Sequence, residues 1–150
     1  MSTLNLQIKK LRPGAILPAA ATQLSAGLDL HACIDEPLTI PVGKIVTVPC
    51  GIAVCPDLSG GNVAMLVIIR SSLGRKHGLT LANSVGVIDS DYRGEILVPI
   101  INHGSEDYTF EPGERFAQLV PLFVPTCTVT EAEKLPESER TGGFGSTGKI

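Results

Sequence analysis

The chain has 150 residues, a formal net charge of −3 and 43% hydrophobic residues, which fits one domain with its own core and argues against the basic excess of a nucleic-acid coat. No apolar run reaches the ~20 residues of a membrane helix, and the opening MSTLNLQIKKLRPG holds no apolar signal region, so a cytoplasmic protein with no membrane partner is expected. Cys33, Cys50, Cys55 and Cys127 form no Cys-x-x-Cys pair and no zinc-type spacing, so all four read as small buried hydrophobes in a reducing compartment.

In chain order, Leu4, Leu6 and Ile8 alternate with polar residues, as in a half-buried strand. Leu38, Ile40 and Val42 alternate again up to the turn Pro41-Val42-Gly43-Lys44. Val46, Val48, Cys50, Ile52 and Val54 share one face of a single expected strand. Residues 63–69, VAMLVII, are rich in β-branched side chains and have the length of a strand buried on both faces. One short helix is expected from Ser71, as N-cap, to about Gly78. Ile96, Val98 and Ile100 alternate with Leu97, Pro99 and Ile101, so both faces of that strand are apolar. Glu111-Pro112-Gly113-Glu114 has the pattern of a type II turn, and Phe116 to Val124 is a further strand. With 16 glycines and 11 prolines spread between short strands, the pattern predicts an all-β subunit, a jelly roll or β-sandwich over residues 1–127. Residues 128–150 are polar, then glycine-rich, and cannot build a core of their own. They read as a C-terminal arm.

Five segments carry candidate chemistry. Asp29, in Ala26-Gly27-Leu28-Asp29-Leu30, puts a carboxylate inside an apolar strand and so calls for a donor or a cation beside it. Arg70, Ser71 and Ser72 follow a buried strand, where free N–H groups, hydroxyls and cations together suit a phosphate; a solvated basic turn accounts for them equally. Gly86-Val87-Ile88-Asp89-Ser90-Asp91-Tyr92-Arg93-Gly94-Glu95 sets carboxylates and a tyrosine among apolar residues, which makes Asp89 a candidate general base, against a polar turn capped by Asp89 and Asp91. Arg115 and Gln118 open a strand, with surface polarity as the plainer explanation. The tail Gly143-Phe144-Gly145-Ser146-Thr147-Gly148-Lys149 superficially matches a P-loop, but Ile150 stands where Ser or Thr belongs and no βαβ unit surrounds it. Its glycines could still turn backbone N–H groups onto an anion. His31, His77 and His103 have no ligand spacing and receive no role.

Taken in order, these segments resemble the five motifs of the dUTPase family: AGLDL, RSSL for the usual PRSGL, GVIDSDYRGE, RFAQL and GGFGSTG. The resemblance spans residues 26–148. It implies a β jelly-roll homotrimer with active sites at subunit interfaces and a flexible glycine-rich tail, hydrolysing dUTP to dUMP and pyrophosphate with Mg²⁺. It further implies that Asp89 activates water for attack on the α-phosphorus, that Tyr92 packs under the sugar, and that Asn83 reads the uracil edge. Arg70, Ser71, Ser72 and Gln118 would hold the triphosphate, and Asp29 would hold magnesium through water. In the tail, Phe144 would stack on uracil, while Ser146 and Thr147 would grip the γ-phosphate. Arg140 would join them, although it precedes Phe144 by four residues where the family usually has five. RSSLGR also resembles the related dCTP deaminases, whose third motif is IDPGW-like where this chain has IDSDYRGE. A deaminase, alone or bifunctional, is the alternative enzyme, and a non-catalytic jelly-roll binding protein the alternative of another class.

Overall fold

A computed structural model of the chain describes residues 4–138. Within them eleven strands and one short helix follow in order: β1 (Leu6–Lys10), β2 (Leu28–His31), β3 (Leu38–Ile40), β4 (Ile45–Pro49), β5 (Ile52–Pro56), β6 (Val63–Ile69), α1 (Ser71–His77), β7 (Leu79–Leu81), β8 (Gly86–Ile88), β9 (Leu97–Asn102), β10 (Tyr108–Phe110) and β11 (Arg115–Phe123). Every pairing is antiparallel. One sheet runs β2-β11-β6-β8, a second β4-β9-β7, and β1-β5 and β10-β3 form two ribbons. Strands distant in sequence are neighbours throughout, so closure of this all-β body depends on long-range pairing.

The alternating residues supply the core. Leu30, Ile40, Val48, Ile52, Met65, Ile100, Phe110, Phe116 and Leu119 are all sealed from solvent. Phe110 and Phe116 meet edge to face at 5.7 Å, and Tyr108 continues the row at 4.9 Å from Phe110.

Four expectations need correction. The single strand through residues 46–54 is two strands broken at Gly51, which takes φ +69°; a Cβ there would collide with Cys33 and Ala15. Ser71 is the first helical residue and not the N-cap; Arg70 holds that place without a side-chain cap, and Gly78 ends the helix in the left-handed region. Strand β6 buries one face, Val63, Met65 and Val67, while Ile68 is exposed; β9, apolar on both faces as expected, buries Val98 and Ile100 and leaves Leu97 52% exposed. Of the cysteines, Cys33 and Cys50 are buried as expected, Cys55 is half-buried, and Cys127 is exposed; all four are free. Burial raises the Cys50 thiol well above its ordinary range. No helix among the described residues is long and apolar enough to cross a membrane.

Asn102, wholly buried at the end of β9, ties three segments together. Its amide donates to the carbonyls of Ile40 (2.9 Å) and Glu106 (2.8 Å), and its carbonyl accepts from Gly104 N–H (2.8 Å). Asn102→Ala is expected to cost about 2–4 kcal/mol, since buried carbonyls would lose their donor. Urea unfolding reads this, and a loss below 1 kcal/mol (roughly the worth of one ordinary hydrogen bond) would show the knot to be dispensable.

Candidate active site

Two concave regions collect the expected residues. The first is a cleft of about 220 Å³ lined by Asn83, Gly86, Ile88, Asp89, Tyr92, Glu95 and Leu97, among others. Its polar edge comes from the turn between β7 and β8 and from the loop after β8. In that turn Val85 N–H donates to Asn83 O (2.8 Å), and Ser84 sits at φ +66°, an uncommon backbone state for a residue with a Cβ. The turn projects Asn83, exposed, at the cleft rim.

After β8 the chain turns back on itself, with Tyr92 N–H donating to Asp89 O (3.1 Å). Asp89 is exposed in the single chain, and the apolar neighbours expected from its sequence line the same cleft without burying it: Val87 is itself 62% exposed. Tyr92 is held by its own tip, its hydroxyl donating to Glu95 O at 2.9 Å. The ring lies close over Gly94, where a Cβ would fall 2.6 Å from Tyr92 Cζ, so only glycine permits this posture. Glu95 is braced in turn: its carboxylate accepts from Gly51 N–H (2.9 Å) and pairs with Arg12 (2.8 Å). Sequence reasoning gave Glu95 and Arg12 no role; their 83-residue separation hides the pair.

The second region is built around Asp29. This carboxylate, 3% exposed on β2, receives Arg115 Nη1 at 3.1 Å and the Gln118 amide at 3.1 Å, with Arg70 Nε at 3.6 Å. The partner that an aspartate in an apolar strand requires is thus present threefold, and two of the other four segments converge on it. Arg115 is the addition here, read from sequence only as a solvated residue at the start of a strand. Arg70 and Arg115 also line a cavity with Ser72, Lys76 and His77, and Ser71 is exposed at the start of α1 beside it. His31 stands opposite Arg115 in the β2–β11 register, and its Nδ1 is buried without a hydrogen-bond partner. Burial, then Arg115 and Arg70, depress its pKa against the upward pull of Asp29. Arg140, Phe144, Ser146 and Thr147 lie outside the described residues.

Among the described residues, none lines both regions. The structure therefore brings Asn83, Asp89 and Tyr92 together, and separately Asp29, Arg70, Ser72, Arg115 and Gln118.

An all-β chain that pairs a carboxylate-and-tyrosine cleft with a cationic hydroxyl-rich patch has the makings of an enzyme for a phosphorylated ligand. The family model described as dUTPase matches residues 14–148, and the chain belongs to the dUTPase family. Over 147 residues it is 46% identical to the deoxyuridine 5'-triphosphate nucleotidohydrolase of Paraburkholderia phymatum, covering 97% of this chain and 98% of that protein. It is 44% identical over 150 residues to the protein of the same name from Bordetella pertussis, covering 99% of each. Among solved structures it is similar to the dUTPase of Staphylococcus bacteriophage 80alpha with dUpNHpp, with a TM-score of 0.84 and 25% identity over 96% of this chain and 98% of that one.

Removing Asp29 would leave two like-charged guanidiniums facing each other. Because Arg115 and Arg70 are half and one-third exposed and can turn to water, Asp29→Ala is expected to cost about 2 kcal/mol, less than the 3–5 of a fully buried pair. Urea unfolding of the variant checks this; unchanged stability would remove the charge cluster from any account of the fold.

Proposed function

We propose that the protein hydrolyses dUTP to dUMP and pyrophosphate. The observation that carries this reading is the convergence of Asn83, Asp89 and Tyr92 on one cleft in a chain of this family. In it, uracil enters beside the β7–β8 turn, where Asn83 and the turn's backbone groups meet its polar edge. Tyr92 lies against the sugar. Its ring is fixed from below by Gly94 and at its tip by Glu95 O, so it cannot retreat for an added 2′-hydroxyl. Asp89 accepts a proton from the water that attacks the α-phosphorus, and pyrophosphate leaves.

The triphosphate needs cations, and Arg70, Arg115 and Lys76 with the Ser71 and Ser72 hydroxyls would hold it, Gln118 completing the set from Asp29. That patch shares no residue with the cleft, so one nucleotide engages both most simply when the cleft of one subunit faces the patch of another. A homotrimer with sites at its interfaces meets this need, and exposed Leu97, Val87 and Ile68 would be covered in it. The tail residues Arg140, Phe144, Ser146 and Thr147 would then close over the base and γ-phosphate.

Magnesium fits in one way. Among the described residues no three His, Cys, Asp or Glu side chains converge, so the protein offers no cage, and the ion would ride mainly on phosphate oxygens and water. Asp29 has about four acceptor positions, and two hydrogen bonds plus one longer ion pair leave room for a bridging water. When bound, the ion offsets triphosphate charge. The cytoplasm, where nucleotides are made, is the proposed compartment.

The test is magnesium-dependent pyrophosphate release from dUTP, with UTP and dCTP assayed beside it. Asp89→Asn is expected to lower kcat by 10²–10⁴-fold with nucleotide binding retained; turnover above about a tenth of wild type would dismiss Asp89 as the base. Tyr92→Ala is expected to narrow the dUTP-over-UTP preference, and an unchanged ratio of kcat/KM values would dismiss its steric role. Ammonia release from dCTP would instead favour the deaminase. Light scattering is expected to report three subunits, and ending the chain after Glu139 to lower kcat/KM by orders of magnitude at unchanged Tm; a monomer, or full activity without the tail, would refute the respective parts.

A further inference from the structure

The loop that carries Asp89 leaves β8 at Ile88, whose ladder partner on β6 is Met65. Past that pair the ladder stops, and a side-chain contact takes its place. Ser90 reaches back to the root of β6. Its hydroxyl lies 2.5 Å from Asn62 Oδ1 and against Val63 O, to one of which it donates, while Val63 N–H is shared between Ser90 Oγ (3.2 Å) and Asn62 Oδ1 (3.0 Å). The other end of Ser90 is held too, since Arg93 donates to its carbonyl at 2.7 Å and to Tyr92 O at 3.0 Å. Asp89 is therefore bracketed on a single strand: Met65 fixes the residue before it and Val63 the residue after it. Its own side chain makes no such contact with β6 and lines both the nucleotide cleft and a second hollow bordered by Asn62, Ser90 and Val124.

We propose that Ser90, with Asn62 as its partner, is a positioning residue that sets the Asp89 carboxylate for attack by water. This rests on Asp89 being the base. The latch acts on the carboxylate's place more than on nucleotide binding, because Asn83 is held by the β7–β8 turn and the Tyr92 ring by Glu95 O, and only the Tyr92 backbone is tied to the Asp89 loop, through Asp89 O and Arg93. A misplacement of about 1 Å at a reacting group can cost on the order of 10²-fold in rate.

The experiment measures kcat, KM for dUTP and Tm for Ser90→Ala, Ser90→Thr, Asn62→Ala and the Ser90→Ala/Asn62→Ala double variant, with Asp89→Asn alongside. Ser90→Ala is expected to lower kcat about 10–100-fold with KM changed less than about threefold. Ser90→Thr keeps the hydroxyl and is expected to recover most of that kcat. The double variant is expected to be no slower than Ser90→Ala, since Asn62 acts through the Ser90 hydroxyl that this variant already removes. Should Ser90→Ala fail to fold, Asn62→Ala carries the same comparison. Wild-type kcat in Ser90→Ala with an inactive Asp89→Asn overturns the latch and leaves the base. Losses that track Tm, or that Ser90→Thr does not relieve, also overturn it. Full turnover in Asp89→Asn removes the base itself.

Discussion

A carboxylate cannot be left charged and dry, and the burial of Asp29 is the constraint on which this molecule's charged face depends. Its partners come from β11, through Arg115 and Gln118, and from the junction of β6 and α1, through Arg70. Three strands adjacent in one sheet are thereby locked in register at the point where the chain leaves β6 for its only described helix. The arrangement does more than hold strands together. Two guanidiniums outweigh one carboxylate, so the cluster keeps a positive excess, and Arg115 and Arg70 are open enough on one side to meet an anion. Buried charge here fixes cations that would otherwise wave in solvent, and fixed cations lose less entropy when a phosphate arrives.

The opposite rim is organised by backbone geometry. Tyr92 is placed by what lies beneath it, a residue with no Cβ, and by the carbonyl that its hydroxyl finds. Glu95 supplies that carbonyl, and its side chain reaches across to Gly51 and Arg12. The break that divides β4 from β5 and the aromatic ring at the cleft are consequently parts of one construction. A deformation at the break would move the ring.

The strands were legible because a period of two survives in short segments: Leu6, Ile8, Ile40, Val98 and Ile100 all lie where alternation put them. The break at Gly51 was not, because Cys50 and Ile52 keep the same parity on both sides of it and alternation passes through unbroken. The lone glycine was the signal available. The Asp29 cluster was half legible, since an aspartate among apolar residues announces a partner without saying which one; Arg115 stands 86 residues away. Ser90 and Asn62 left no trace, being 28 apart and unremarkable in type. Asp89 misled in a different manner. Its apolar neighbours in sequence suggested a dry setting, but Val87 and Leu97, which line its cleft, are themselves exposed in the single chain.

That last mismatch bears on how the site works. Phosphoryl chemistry gains from positioned charge in a place that excludes bulk water, and the single chain gives Asp89 position without exclusion. The same chain leaves Val87, Leu97 and Ile68 exposed on strands whose other faces are buried or half-buried. Apolar side chains on a sheet face and an uncovered Asp89 are two aspects of one deficit, surface that this chain by itself does not cover. In the proposed trimer a single contact between subunits would remedy both. It would also join the cleft to the cationic patch, which none of the described residues does. The proposal therefore ties the reaction to the assembled state, in which the cleft of one subunit would meet the patch of another.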